Sequence, residues 1–403
     1  MAVTRRLSRF GDWSTLRPMC HSGSLRDQQP FFAGADVGSR MDQVRRAIND
    51  IRVHWDRYPD FVADLREYLE RQAARAGTGG SDGEDGEGGE EDGQRVAALF
   101  SGVKEWADRR DPGEDDGDGD DYSAIRLYTS QPGYRRIFGT INAAFRDAGL
   151  TRDTKALRSA AFLVELLSID LFNYRHRHTH ADNFEGVVHR GMCVSDAQLG
   201  RFAELASGPV DQRYLSIPLA MASASTDRAS ALAFALEQAR RHPGRHPLLW
   251  EIRVAGLPAE LLDVYRAAFP RGTVTSMCAV PIDRLSDYPY EKEVLLRGPF
   301  FQILRLTRNT AGRGGRDEPT HVVEAVMLNS NRDHVSTVAS DEGEDRRARD
   351  LFRTLVTLHR SALCAQYAGE RGLAGDAAVY RSLHSGSRAA LDRHLERPGG
   401  ASR

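Results

Sequence analysis

Two glutamates, Glu291 and Glu293, stand two residues apart in the segment Tyr288–Leu296. Polar and apolar residues alternate after Pro289, and this alternation predicts a strand. Because residues i and i+2 of a strand point to the same face, we expect the two carboxylates to lie side by side. Such a pair can stabilise a cationic, sugar-like transition state and position an acceptor. A solvated edge strand, with Lys292 between two acids, would also produce this pattern.

Two upstream segments place further polar residues at the ends of expected strands. A short apolar strand pattern precedes Arg190. Residues 221–228 form a strand end followed by a Ser/Thr/Asp helix start and then an apolar helix face. Ser223 ends that strand, and we expect Ser225 or Thr226 to cap the helix. Both segments therefore present polar side chains where strands stop.

The order along the chain is an arginine, then Ser-x-Ser, then Glu-x-Glu. This order resembles the arginine-specific mono-ADP-ribosyltransferases, which carry an Arg–Ser–Glu triad on the same three elements. The segment Ala124–Thr129 is also similar to the start of that catalytic domain. The resemblance covers residues 122–335, about half of the chain. Each motif alone is common, and the three in this order are specific.

The resemblance implies both a reaction and its partners. The expected enzyme is an NAD⁺:protein-arginine ADP-ribosyltransferase, a pentosyl-transferring glycosyltransferase. It would take NAD as co-substrate, need no metal, release nicotinamide, and modify proteins that carry an accessible arginine. Cleavage of the bond between nicotinamide and ribose leaves positive charge on the ribose carbon, so a fixed carboxylate beside that carbon would stabilise the transition state.

Roles for the acidic segment follow from the same resemblance. Glu293 matches the catalytic glutamate, which holds the ribose 2′-hydroxyl and stabilises the cation. Glu291 matches the acid that orients the acceptor guanidinium and takes its proton, because a carboxylate pairs geometrically with a guanidinium. Tyr288 and Tyr290, just before Glu291, are candidate contacts for the acceptor protein.

The other matched positions are expected to bind NAD. Arg190 should contact the diphosphate, since its fork of N–H groups fits phosphate oxygens. Gly191 would let the backbone approach the ligand closely. Ser223 should hydrogen-bond either the ligand's ribose or Glu293. His189 departs from the pattern, because many relatives have a tyrosine there, and this puts any stacking role at that position in doubt.

Two other functions remain possible at this point, and a third class is disfavoured. Water could replace arginine as the acceptor, which would make the protein an NAD glycohydrolase on the same fold. A non-catalytic binding module is a second alternative, and the intact Glu-x-Glu argues against it. A His-Gly first motif would indicate the poly-ADP-ribose polymerase class, but here Arg190 separates His189 from Gly191.

Charge is divided unevenly along the 403 residues. Residues 81–121 hold 16 acids and 4 bases, which leaves 51 bases and 41 acids in the rest of the chain. A basic body suits an anionic ligand such as a dinucleotide. We find no nucleic-acid-binding motif and expect no nucleic-acid partner. The four cysteines form no CxxC pattern, and we see neither a signal peptide nor an 18-residue apolar run, so we expect no membrane span and a cytoplasmic or otherwise intracellular protein.

Periodicity indicates an α+β fold of the ADP-ribosyltransferase type, with N-terminal helices packed against a mostly antiparallel two-sheet β core and with helical appendages. Helical patterns occur around Tyr134–Phe145, Leu157–Leu167, Asp350–Tyr367 and Asp376–Leu395. His176 and His180 could share a helix face, where a metal site is conceivable and a basic loop near the ligand's phosphates is the alternative. Strand patterns occur at Leu219–Ser223, Leu248–Val254, Cys278–Ile282, Glu291–Leu296, Phe300–Leu306 and His321–Leu328.

Composition divides the chain into five segments. Residues 1–35 are expected to be irregular, and residues 36–75 to form amphipathic helices that dock on the catalytic domain or bind a partner. Residues 76–121 are acidic, low-complexity linkers around a short helix. Residues 122–335 form the expected catalytic domain, and residues 336–403 a helical C-terminal extension.

Overall fold

The computed structural model describes residues 60, 61, 63–65, 67, 68, 122–129, 154–216, 221–270, 274–297, 300–309, 320–332 and 342–396. Several predictions lie outside these residues. They concern the irregular N-terminus, most of the amphipathic helices expected in residues 36–75, the acidic linkers and the helical pattern Tyr134–Phe145. Within the described residues, no helix combines the length and the apolar character that crossing a bilayer requires.

Helices cover both ends of the described chain. The α-helices are α1 Ser123–Thr129, α2 Thr154–Arg177, α3 Asp196–Ser207, α4 Arg228–Arg241, α5 Ala259–Ala268, α6 Glu342–Glu370 and α7 Ala374–Glu396. Short 3₁₀ turns occur at Thr179–Ala181, Val210–Gln212 and Pro289–Glu291. The two C-terminal helices include both helical patterns expected there.

Strands occupy the middle of the chain. They are β1 Gly186–Val194, β2 Tyr214–Ser216, β3 Met221–Ser225, β4 His246–Ala255, β5 Val274–Thr275, β6 Ala279–Pro281, β7 Glu293–Arg297, β8 Phe300–Asn309, β9 Thr320–Leu328 and β10 Asn331–Arg332. Among the described residues, eight of them form one sheet in the order β2-β8-β9-β4-β1-β3-β7-β6, and β5 pairs with β10. Only β4 and β9 run parallel in that sheet, so the predicted α+β fold with a mostly antiparallel β core is confirmed.

The large sheet consists of two parts, and strand pairing between them is limited to one residue pair among the described residues. Strand β1 pairs with β4 through nine residues, from Gly186 to Val194. Between β1 and β3, the described residues show a single pair, His189 with Ser225. We call β2-β8-β9-β4-β1 the long ladder and β3-β7-β6 the short ladder. Because the two separate on either side of one residue pair, groups at that junction can face a space between them.

A continuous apolar core fills one face of both ladders. Trp250 of β4 lies at its centre, with ring centroids 5.5 Å from Phe202 of α3 and 5.2 Å from Phe301 of β8. The short ladder contributes Val294 and Leu296 to the same cluster. Burial of this apolar surface is the main force that holds the two ladders together, since among the described residues strand pairing joins β1 to β3 through one residue pair.

Helix α2 is packed by an N-terminal helical piece. Phe61, whose backbone is helical, is buried, and its ring centroid lies 5.6 Å from that of Phe162. Arg158 of α2 forms an ion pair with Asp64. Leu65 is fully buried. The described part of residues 60–68 therefore packs on α2, which agrees with the first of the two alternatives given for the segment 36–75.

The C-terminal helices share cores with the sheet. Cys364 and Ala368 of α6 and Tyr380 of α7 belong to a buried cluster that includes Leu304 of β8 and Val326 of β9. Helix α6 also forms a second cluster with α5. Arg371, which follows α6, also donates a hydrogen bond to Glu324 of β9. The helical extension is thus packed against the long ladder.

Candidate active site

The site lies at the junction of the two ladders. His189 of β1 pairs with Ser225 of β3, and Ser225 pairs with Glu293 of β7. These three residues form one row across three adjacent strands. Arg190 follows His189, and Ser223 lies two residues before Ser225 on the same face of β3. The sequence-predicted arginine, serine and second glutamate therefore come from neighbouring strands.

Glu293 is the most buried acid of this group. It begins β7 and is 7 % exposed. Its Oε1 accepts a hydrogen bond from the Ser223 hydroxyl at 2.5 Å, and its Oε2 accepts a longer one from the Ser286 hydroxyl at 3.4 Å. Burial raises the pKa of Glu293 to about 7, although the Ser223 hydrogen bond opposes that shift. A carboxylate that titrates near neutral pH is typical of functional sites.

Ser223 is itself held by a tyrosine. The hydroxyl of Tyr128 on α1 lies 2.9 Å from the Ser223 Oγ. Because Ser223 uses its one hydroxyl proton on Glu293, Tyr128 must be the donor of this bond. Buried Asp170 of α2 fixes the start of α1 by accepting from the backbone nitrogens of Ala124 and Ile125. The likeness of residues 124–129 to a domain start does not indicate this contact of Tyr128.

Arg190 lies against the same serine from the other ladder. Its Nη1 donates to the backbone oxygen of Ser223 at 2.5 Å. Its charge is one of the influences that lower the pKa of Glu293. Within the described residues, the other N–H groups of Arg190 have no protein acceptor. The guanidinium is therefore placed beside the carboxylate with donors still free for a ligand.

Gly191 has a packing reason for lacking a side chain. A Cβ built at Gly191 would lie 1.9 Å from the backbone oxygen of Ala231 in α4. Only glycine allows α4 to pack this closely on β1. The structure thus places Gly191 under a helix, and its expected ligand contact stays a prediction.

The cap of α4 differs from the one expected. Asp227 is the N-cap residue, and its carboxylate accepts from the backbone nitrogen of Ala229 at 3.1 Å. The prediction that Ser225 or Thr226 caps the helix is wrong, because the Ser225 hydroxyl donates to the backbone oxygen of Glu291. The backbone nitrogen of Thr226 also donates to the Lys292 oxygen at 3.2 Å.

The expected strand through Glu291 is also wrong. Residues Pro289–Glu291 form a 3₁₀ turn, Lys292 has a left-handed φ of 47°, and the strand begins only at Glu293. Pro289 has no N–H to donate to a ladder, and the Glu291 oxygen is taken by a side chain, so strand pairing cannot extend backwards. The two glutamates therefore do not share a strand face.

Glu291 instead lies on an exposed turn with the two tyrosines. Its side chain faces solvent, and partial burial raises its pKa. Tyr290 is 68 % exposed, and its ring meets that of Tyr288 edge to face at 6.0 Å. Tyr288 is half-buried, so Tyr290 is the exposed ring of the pair, and with Glu291 it forms a surface that can receive another molecule.

His176 and His180 do not share a helix, since His176 lies in α2 and His180 in the turn that follows. Helix α2 ends at Arg177, before the turn Thr179–Ala181, so the prediction of His176 and His180 on one helix face is wrong. His180 Nε2 lies 2.9 Å from the hydroxyl of Tyr174. Among the described residues, no group of three or more His, Cys, Asp or Glu side chains could hold a metal ion.

Comparisons with known proteins find structural similarity only. No family model and no curated protein matches the chain. It is similar to the ADP-ribosyltransferase Vis in complex with agmatine, at 17 % identity and a TM-score of 0.34, over 65 % of this chain and 91 % of that one. Vis is described as a toxin from Vibrio splendidus.

Two other toxins show similar likeness. One is Plx2a from Paenibacillus larvae, an ADP-ribosyltransferase, with 17 % identity, a TM-score of 0.31, and coverage of 58 % of this chain and 96 % of that one. The other is the enzymatic component C2-I of the Clostridium botulinum C2 toxin, with 13 % identity, a TM-score of 0.31, and coverage of 61 % and 48 %. Because these TM-scores are low, we infer no function from them.

Proposed function

We propose that this protein is a mono-ADP-ribosyltransferase that moves ADP-ribose from NAD to arginine side chains of proteins. The observation that carries the proposal is the arrangement around Glu293. A buried carboxylate is held by Ser223, and Arg190 reaches the same serine from the other ladder with N–H groups to spare. A sugar cation and a diphosphate need these two charges side by side.

Each side chain would act on a different part of NAD. Arg190 would bind diphosphate oxygens through its free N–H groups. Glu293 would accept a hydrogen bond from a ribose hydroxyl and stabilise the positive charge that grows on the ribose carbon. As the bond from that carbon to nicotinamide breaks, its electron pair leaves with nicotinamide. Ser223 would keep the carboxylate at the angle this requires.

The exposed turn would receive the acceptor. A guanidinium of the target protein would pair with Glu291, and Tyr288 and Tyr290 would contact the surrounding protein surface. The acceptor nitrogen forms a bond to the ribose carbon, and Glu291 takes the proton that this nitrogen loses. Exposure of Glu291 supports the assignment, since a protein substrate must reach it from solvent.

Incubation with labelled NAD and an arginine-rich protein tests the proposal. We expect label on arginine side chains, mapped by mass spectrometry, together with free nicotinamide. The Glu293→Gln variant is the control for enzyme-dependent labelling. Nicotinamide release without any modified protein would indicate an NAD glycohydrolase. Neither product from NAD would overturn the proposal.

A further inference from the structure

Backbone hydrogen bonds hold the loop between β6 and β7 at several points along its length. The backbone nitrogen of Ser286 donates to the Ile282 oxygen at 3.1 Å, and the Ile282 nitrogen donates to the Glu293 oxygen at 2.9 Å. Further along, the Glu291 nitrogen donates to the Tyr288 oxygen at 2.9 Å. The loop therefore has a defined shape, anchored at the end of β6 and at the start of β7.

One hydroxyl joins this loop to the buried carboxylate. The Ser286 Oγ accepts from the backbone nitrogen of Tyr288 at 3.1 Å and donates to the Glu293 Oε2 at 3.4 Å. Acceptance from the nitrogen two residues ahead is a turn that serine commonly stabilises. The same oxygen thus holds the start of the exposed turn and touches Glu293.

The two oxygens of Glu293 are held unequally. Ser223 holds Oε1 at 2.5 Å, and Ser286 holds Oε2 at 3.4 Å, a length at which a hydrogen bond is weak. Oε2 is consequently the oxygen that can exchange its partner for a ribose hydroxyl. When it does so, Ser286 is the group that responds, because it has only one proton to donate.

We propose that Ser286 is a positioning residue that couples the acceptor turn to Glu293 and so favours transfer to arginine over transfer to water. This inference rests on the proposed function and adds to it a determinant of acceptor choice. Ser286 acts through the Tyr288 backbone on one side and the Glu293 carboxylate on the other. It exchanges no atoms with the substrate.

Substitution of the hydroxyl tests the coupling. For Ser286→Ala we expect the ratio of ADP-ribosyl-arginine to free ADP-ribose to fall about fivefold, since the variant loses the ordinary hydrogen bond from the Tyr288 nitrogen as well as the weak one to Glu293. Ser286→Thr keeps the hydroxyl and should restore the ratio. Ser207→Ala removes an exposed hydroxyl that bonds only within α3 and should leave the ratio unchanged. An unchanged ratio in Ser286→Ala overturns the proposal.

A second measurement does not need turnover. In ¹³C NMR titration of the glutamate carboxyls, with Glu293→Gln used to assign the signal, Ser286→Ala should raise the midpoint of Glu293, since a hydrogen bond to the ionised form is lost. An unchanged midpoint would overturn the contact on which the inference rests. If the wild type cleaves no NAD while the midpoint still moves, the proposed function fails, and the acceptor role of Ser286 fails with it.

Discussion

The long ladder is held by more extensive backbone pairing than the short ladder, where individual side chains also hold the turn before β7. Strand β4 pairs with β1 over nine residues and with β9 over eight. Strand β7 pairs with β3 over five residues and with β6 over three. Beyond those pairs, Ser225 and Ser286 hold the turn that precedes β7. Ser223 and Glu293 thus lie on the part with fewer paired residues, and Arg190 lies on the other.

A charged network adds to the hold on the long ladder. Glu324 of β9 accepts from Arg305 at 2.8 and 2.6 Å and from Arg371, which follows α6, at 2.8 Å. Arg371 also donates to Glu251 of β4 at 3.1 Å. We therefore expect substitutions in the charged network of the long ladder to change stability, and substitutions at Glu293 of the short ladder to change chemistry.

The largest expected effect is on chemistry, at Glu293. Glu293→Gln keeps the shape of the side chain and removes its charge, so both arginine transfer and NAD hydrolysis should fall by about 10²–10³ or more. Thermal melting above pH 8 should show no loss of stability, since the variant no longer buries a charge. Near-normal turnover would disprove the catalytic assignment of Glu293.

The pH dependence should show opposite trends in rate and in stability. Only ionised Glu293 can stabilise a cation. Given a pKa of about 7, kcat/KM for NAD should reach its plateau above pH 8 and should be about a hundredfold lower at pH 5. Because the folded-state pKa is raised, the stability contributed by protonated Glu293 is present below pH 4.5 and is lost as pH rises through 7, by about 3 kcal/mol. Parallel rate and melting measurements check both trends, and a flat rate profile would contradict them.

Substitution of Glu324 tests whether the charged network of the long ladder contributes to stability. Glu324→Gln leaves Arg305 and Arg371 without their full counter-charge and should lower the free energy of unfolding by about 2 kcal/mol, less than a fully buried pair because both arginines are partly exposed. Denaturant titration measures this loss, and kcat per folded molecule should not change. The exposed pair of Glu237 and Arg241 supplies the control, since Glu237→Gln should have little effect. Equal losses of unfolding free energy in Glu324→Gln and Glu237→Gln would show that the network stabilises the protein no more than an exposed ion pair does.

Glu291 should separate acceptor choice from NAD cleavage. Glu291→Gln removes the charge that pairs with a guanidinium and accepts its proton, so arginine transfer should fall at least about tenfold more than nicotinamide release. The two rates are measured side by side in one reaction. Equal losses would mean that Glu291 serves the shared bond-breaking step, and no loss would mean that it is only a surface acid.

The smallest effect is expected at Tyr128. Tyr128→Phe removes the hydroxyl that donates to Ser223, and we expect about a fivefold loss of kcat, as for one neutral hydrogen bond. Because Tyr128 acts through Ser223, the substitution should have no further effect in a Ser223→Ala background. Additive losses in the double variant would show that Tyr128 acts independently of that serine.

Periodicity was sufficient for the long elements. The strand pattern Leu248–Val254 lies within β4, and His321–Leu328 lies within β9. Both strands are buried over most of their length, so their apolar residues form clear runs. Helices α6 and α7 likewise contain the expected patterns.

Local pattern failed where distant groups decide the backbone. Alternation around Glu291 resembled a strand, yet the Ser225 hydroxyl takes the oxygen that a ladder would need. The partnership of Tyr128 with Ser223 joins residues 95 positions apart, and no spacing rule indicates it. The Arg–Ser–Glu order indicated the site only through its resemblance to a known family, and the roles of its residues stay predictions.

The left-handed backbone of Lys292 limits which residues can stand between the two glutamates. At a φ of 47°, glycine is free of strain, asparagine and aspartate are tolerated, and valine or isoleucine would clash with their own backbone. In a library randomised at this one codon, functional clones should therefore be enriched for glycine and asparagine and depleted of β-branched residues. The residue between the two glutamates would then be selected for its backbone conformation, even though its side chain points into solvent.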